Sequence, residues 1–174
     1  MHLQRSLDVR TEGKGSYELT GLVDEVVRES GVKVGLCVLT CLHTSASLVV
    51  TENADPAVRR DLLAWMERVA PEGAPSYTHT AEGPDDMPAH IKASLVGSSV
   101  CLPITQGRLG LGTWQGIYLC EFRNRGGARR RVTPWLHVAL RGGARRRVAP
   151  RGAAWRRVAP RGTAWRRVSA RGAA

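Results

Sequence analysis

Three consecutive decapeptides run through the end of the chain: RGGARRRVAP at 141–150, RGAAWRRVAP at 151–160 and RGTAWRRVSA at 161–170, followed by RGAA. No other feature limits the fold so sharply. A ten-residue unit is too short to stack into layers that bury a core. Repeated Pro, Gly and like charge leave too little apolar surface to offset chain entropy. The folded domain is therefore expected within residues 1–140, and 141–174 is expected to be a disordered basic tail. An earlier copy, RGGARRRVTP at 125–134, is set apart from the run by WLHVAL. The repeat is either a genuine basic arm or a translated low-complexity expansion. The second is favoured, because the body reaches a natural end before it.

The repeat also distorts the charge. Residues 126–174 hold 14 arginines and no acidic residue, so the net charge of +11 misleads as an average. Residues 1–125 carry 12 basic and 15 acidic side chains. Attraction to nucleic acid then belongs to the tail alone, where Trp135, Trp155 and Trp165 interleave with arginine. Such binding is nonspecific and weakens steeply with salt. The body has enough apolar residues for one core, at 43% of the whole chain. It has no run of 18 apolar residues to span a membrane and no apolar leader, so a cytoplasmic protein without a membrane partner is expected. Cys37, Cys101 and Cys120 sit inside apolar runs, and Cys41 has no second close pair. Buried free thiols are expected rather than a zinc ribbon or disulfides.

Hydrophobic periodicity places the elements. LQRSLDV (3–9) alternates as a strand does. YELTGLVDEVVRESG (17–31) puts Leu19, Leu22, Val23, Val26 and Val27 on one helical face, with Gly31 as the stop. VKVGLCVLTCL (32–42) predicts a buried strand, and ASLVVT (46–51) another. Asp55 caps a helix that Pro56 opens, with Val58, Leu62, Met66 and Val69 as its buried stripe. Pro88 opens a third helix behind Asp85 or Asp86, with Ile91 and Leu95 toward the core and Gly97 as its end. SVCLPIT (99–105) and GIYLCEF (116–122) are strands. ARRRV (128–132) is expected at a sheet edge, since Pro134 cannot donate to a central ladder. Strands with few helices and no regular βαβ alternation predict an α+β fold, a jelly-roll-like β-sandwich of mostly antiparallel strands with two or three helices.

Three segments hold the residues that could carry chemistry. HTAEGPDDMPAHIKASL (79–95) gathers His79, Asp85, Asp86, His90 and Lys92. His90 falls in a first helical turn, where the positive end of the dipole disfavours an imidazolium. A neutral ring is expected there, fit for a base or a metal ligand. The plainer alternative is that the aspartates only cap and the histidines are solvated. LHTSASLVVTEN (42–53) ends a strand in His43, Thr44 and Ser45, small polar groups that suit phosphate or that merely form a turn. TQGRLGLGTWQG (105–116) is glycine-rich but has neither the P-loop nor the dinucleotide pattern. There Arg108 could clamp a phosphate, and Trp114 with Gln115 could position a heteroaromatic ring. The alternative is a hairpin whose Trp fills the core. His43, His79 and His90 together match the count of an open zinc, magnesium or other divalent site.

At these segments the chain resembles a known family. HTSASLVVTENADPAVRRDL and YTHTAEGPDDMPAHIKASLVGSSVCLPITQGRLGLGTWQGIYLCEFRNRGG are similar to the YjbQ-type family of secondary thiamine-phosphate synthase enzymes. The resemblance covers roughly residues 3–133. It implies a compact β-sandwich with helices, a homotrimer with clefts between subunits, and a thiamine-phosphate synthase activity. That reaction joins hydroxymethylpyrimidine diphosphate to thiazole phosphate and releases pyrophosphate.

The family's polar positions map to His43, Thr44, Ser45, Asn53, His79, Asp85, Asp86, His90, Lys92, Arg108, Trp114 and Gln115. In this picture Lys92, Arg108 and a divalent ion neutralise the leaving group. His90 or His79 moves a proton or holds the metal, with Asp86 orienting one ring from behind, and His43, Thr44, Ser45 and Asn53 meet substrate. The competing function is a non-catalytic module that binds metal or a phosphorylated ligand, with a nucleic-acid-binding tail. The chain departs from its relatives where Pro134 interrupts a final apolar strand.

Overall fold

Strand β4 (Val34–Cys41) shows how the sequence builds its layers. Cys37, Leu39 and Cys41 alternate into the core, while Val34 and Leu36 on the other face stay 67% and 43% exposed. The apolar run thus forms a strand buried on one face rather than two. The structure is a computed structural model that describes residues 2–125 and 130–137. The expected disordered repeat, with Trp155 and Trp165, lies outside the described residues.

The remaining elements follow in chain order. They are β1 (His2–Gln4), β2 (Leu7–Val9), β3 (Gly15–Glu18), α1 (Thr20–Glu29), β5 (Ala46–Glu52), α2 (Pro56–Val69), α3 (Asp86–Val96), β6 (Ser99–Thr105), β7 (Arg108–Leu109), β8 (Gln115–Glu121) and β9 (Arg130–His137). Two antiparallel sheets result, so the fold is α+β. One sheet has the order β1-β9-β4-β6-β7 with β2 also on β9, and the other runs β3-β8-β5. They share one core. Cys37, Leu39, Leu102 and Ile104 come from the larger sheet, Leu48, Ile117 and Leu119 from the smaller, and Val23 and Val27 from α1. Each large side chain fully buried there contributes about 1.5–3 kcal/mol. The opposite face of the small sheet packs Cys120 and, just past its end, Phe122 against Met66 of α2 and Ala89 and Ala93 of α3.

Several expectations change in detail. The first strand is two short strands, because pairing lapses at Arg5 and Ser6. The registers Gln4↔Trp135 and Leu7↔Val132 put Arg5 opposite Pro134. The missing N–H of proline thereby falls at a break in its neighbour. This lets β9 lie inside the sheet, paired to β4 on its other side with Pro134 opposite Leu39, and not at the expected edge.

Helix α1 starts at Thr20 because Gly15–Glu18 is held in the ladder with β8, and Leu22 of the expected stripe is exposed. Asp55 caps α2 as expected, accepting from the Ala57 N–H at 2.7 Å. Of its predicted stripe only Met66 is buried, since α2 lies on the surface, and Val69 is exposed. Leu95 also points outward, and the buried face of α3 is Ala89, Lys92 and Ala93. Gly97, with φ 96°, ends α3 as expected. Cys37, Cys41 and Cys120 are buried and in no disulfide, whereas Cys101 lies on the exposed face of β6. Burial pushes the Cys37 and Cys120 thiols up to about 12, which leaves them unreactive. No helix among the described residues is long and apolar enough to cross a membrane.

Candidate metal centre

The start of α3 places the most chemistry in the least space. Asp86 stands in its first turn and is 1% exposed, and His90 follows one turn later on the same face. The loop before the helix carries His79 back over this face. His79 Nε2 lies 2.7 Å from Asp86 Oδ2, and His90 Nε2 lies 3.2 Å from the same oxygen. The two rings are 5.6 Å apart. The three ligand atoms all fall within 4.8 Å of one another.

The tautomer of His90 is set from the other side of the ring. Its Nδ1 lies 3.0 Å from the Thr44 carbonyl oxygen, which can only accept. Nδ1 therefore carries the hydrogen, and in the neutral ring Nε2 presents its lone pair to the carboxylate. Two lone pairs at this distance repel unless a proton or a cation lies between them.

Arg123, just beyond β8, holds the acidic side of the cluster. Its Nη1 donates to Asp86 Oδ1, its Nε to Asp85 Oδ2 at 3.0 Å, and its Nη2 to the Glu82 carbonyl at 2.8 Å. Asp85 also accepts from the Asn124 N–H at 2.9 Å. Burial pushes the Asp85 carboxyl up, but these two donors outweigh it and hold the group below its ordinary value. The aspartates thus do more than cap, and Asp85 makes no side-chain cap bond at all. Arg123 is itself anchored: its backbone N–H donates to Glu121 Oε1 at 3.1 Å, and Thr11 Oγ1 donates to Glu121 Oε2 at 2.9 Å.

The other expected residues divide. His43 Nδ1 accepts from the Ser45 N–H at 3.2 Å and lies 3.2 Å from Ser45 Oγ, and His43 is not among the residues whose ligand atoms converge. The expected trio of His43, His79 and His90 is replaced by His79, Asp86 and His90. His43 instead stands between two clefts of roughly 500–560 Å³. One is lined by small groups beside His90, including Ala46, Ala93, Ser94 and Gly97. The other carries Ser45, Asp85, Arg123, Asn124 and Arg125. Thr44 acts through its backbone.

Lys92 does not reach the centre. Two residues beyond His90 is about 200° around the helix, and its buried ammonium donates to Glu67 Oε1 of α2 at 2.7 Å. Arg108 lies exposed on β7 at the rim of the large sheet. Asn53, Trp114 and Gln115 do meet, through the Asn53 N–H on the Trp114 carbonyl at 2.9 Å. They sit at the far end of β5 from His43, about 20 Å along a seven-residue strand. The Trp114 ring is 65% exposed, so it does not fill the core. Arg123 and Glu121 were missed by sequence reasoning. A carboxylate inside the apolar strand IYLCEF was the available signal, since a buried charge requires partners.

Comparison with known proteins gives a single answer. The family model described as UPF0047 protein YjbQ-like matches residues 5–137. A UPF0047 protein of Synechocystis sp. is 48% identical over 122 residues, covering 70% of this chain and 83% of that protein. The UPF0047 protein YjbQ of Salmonella typhimurium is 45% identical over 131 residues, covering 75% and 94%. A crystal structure of an uncharacterized conserved protein of the YjbQ/UPF0047 family from Clostridium acetobutylicum superposes with a TM-score of 0.66 at 42% identity, covering 77% of this chain and 98% of that one. A hypothetical protein from Aeropyrum pernix superposes at 0.69 with 30% identity, covering 78% and 98%.

Proposed function

This chain belongs to the YjbQ-like UPF0047 family, and on that footing we propose that it is a cation-dependent transferase acting on small phosphorylated heterocycles. The observation that carries this reading is the convergence of His79 Nε2, His90 Nε2 and Asp86 Oδ2, with the one donor of His90 already committed to Thr44. A cation between these atoms removes the lone-pair conflict. Two imidazoles and a carboxylate suit zinc or a similar divalent ion better than magnesium, which prefers oxygen ligands. Such an ion supplies stabilisation of negative charge on a phosphoryl oxygen.

The chain's own residues would do the rest. Thr44 and Asp86 orient the imidazoles. Arg125 places positive charge along the cleft beside Asp85, where an anionic group would lie, while Arg123 is committed to Asp85, Asp86 and the Glu82 carbonyl. Arg125 takes the part expected of Lys92 and Arg108. The cleft of small residues beside His90 has room for a ring. The reaction we assign is the joining of hydroxymethylpyrimidine diphosphate to thiazole phosphate, in which departing pyrophosphate must be neutralised.

We further propose a homotrimer that works in the cytoplasm. The exposed Val34 and Leu36, neighbours of Cys101 and Val38 on one sheet face, supply apolar surface for an interface. In such an assembly Asn53, Trp114 and Gln115 would join the centre only if a neighbouring copy supplied them. The test is formation of thiamine phosphate and pyrophosphate from the two substrates, by protein stripped of metal and then reloaded with zinc, manganese or cobalt. Turnover restored by an ion supports the reading. Ion binding without any turnover would leave a binding protein in its place.

A further inference from the structure

Asp86 offers two oxygens, and the fold assigns them different work. Oδ2 faces both histidines, while Oδ1 takes the Nη1 of Arg123. All three arms of the Arg123 guanidinium are occupied, by Asp86, Asp85 and the Glu82 carbonyl. Its backbone is fixed as well, by the fully buried Glu121. The fork is planar and rigid and its other arms are held, so its position fixes where Oδ1 of Asp86 sits.

We infer that Arg123 is a positioning residue of the centre, which holds Oδ1 of Asp86 so that Oδ2 stays aimed between the two histidines. This rests on the cation reading given above. A charge alone would not perform this task. A lysine at 123 keeps the positive charge, but its ammonium cannot span Asp85 and Asp86 in one plane. The carboxylate would then turn about its Cβ–Cγ bond, and the donor set would lose its shared focus. Residues that orient a ligand from behind in this way typically change metal affinity by about 10–100-fold.

The experiment uses cobalt(II) as the probe, because its visible absorption reports the number and arrangement of ligands. Full-length wild type, Arg123→Lys and Asp85→Asn are titrated with cobalt(II), and circular dichroism confirms folding in each. The inference expects both variants to bind more weakly, Arg123→Lys by roughly 10–100-fold, with an altered visible spectrum. Asp85→Asn loosens only one arm of the fork and should fall between. A loss of affinity with an unaltered spectrum, or Arg123→Lys matching wild type in both, overturns the inference while leaving the cation reading intact. Wild type that takes up no cobalt(II) removes the cation reading and this inference with it.

Discussion

His79 and His90, on a loop and on α3, direct their Nε2 atoms at the same oxygen of Asp86, at 2.7 and 3.2 Å. The meeting depends on the i,i+4 spacing of Asp86 and His90 along one helical face, and on the loop that returns His79 to it. The side chains of His79 and His90 stay partly open to solvent while Asp86 is buried. The cluster is therefore accessible from outside and anchored from within.

Replacing His90 with Ala should abolish thiamine-phosphate formation, a loss of at least about 100-fold if the ring is a ligand or proton carrier, while thermal unfolding shifts little. The ring is partly open to solvent rather than sealed in the core. Steady-state assay and calorimetric melting check this. An unchanged rate would exclude His90 from the chemistry.

Lys92 gives the opposite expectation. Its ammonium is buried on Glu67, which also receives Lys14 at 2.9 Å. Glu67→Ala strands a buried cation and should cost roughly 1–3 kcal/mol, the penalty for an unpaired buried group; partial exposure of Glu67 keeps it below the full cost of a broken interior pair. Lys92→Met removes the buried cation and fills its place with apolar volume, while the part-exposed Glu67 keeps Lys14, so stability should change little, with turnover kept. Urea unfolding of both variants decides. A turnover defect in folded Lys92→Met would return the lysine to the active site.

Acid should destabilise the fold through Asp85, behind the centre, and through Glu67, on α2 away from it. For Glu67 too, burial raises the carboxyl, but the Lys92 and Lys14 bonds outweigh it and hold it below its ordinary value. A carboxyl depressed in the folded state contributes stability that is fully present above its unfolded value and is lost as pH falls through its folded value. The loss therefore spans the range from the ordinary value of 3.8 for Asp85 downward. Asp85→Asn should show a shallower fall in melting temperature across that range. A slope equal to wild type would mean that Asp85 is not ionised against Arg123.

Much of the fold was legible because periodicity reports burial. The Asp55–Pro56 helix start, the strands around Cys37 and Leu119, and the Gly97 stop all followed from local rules. Pattern alone could not show that β4 leaves one face open, because Val34 and Leu36 read as core residues. The placement of β9 depended on a gap at Arg5 and Ser6 that no local rule at Pro134 reveals. In the site, His79 and His90 were expected as ligands and do meet, with Asp86, expected only to orient a ring, in the place expected of His43. Lys92 was grouped with the site by its segment and by the family resemblance, and the turn of α3 carries it to Glu67 instead. Arg123 went unseen because its role comes from three partners distant along the chain.

The exposed sheet face tests the assembly. Leu36→Lys should leave the fold unchanged and convert a trimer into monomers in sedimentation equilibrium. A wild-type protein that sediments as a monomer would contradict the assembly without affecting the centre.

The central claim is that a divalent ion binds among His79, Asp86 and His90. Elemental analysis of protein purified without chelators measures this directly, with Asp86→Ala alongside. The account predicts about one zinc-like ion per wild-type chain, as for a single centre of this donor set, and its loss in the variant. Wild-type protein that is free of metal and still takes up no zinc, manganese or cobalt on dialysis would contradict it.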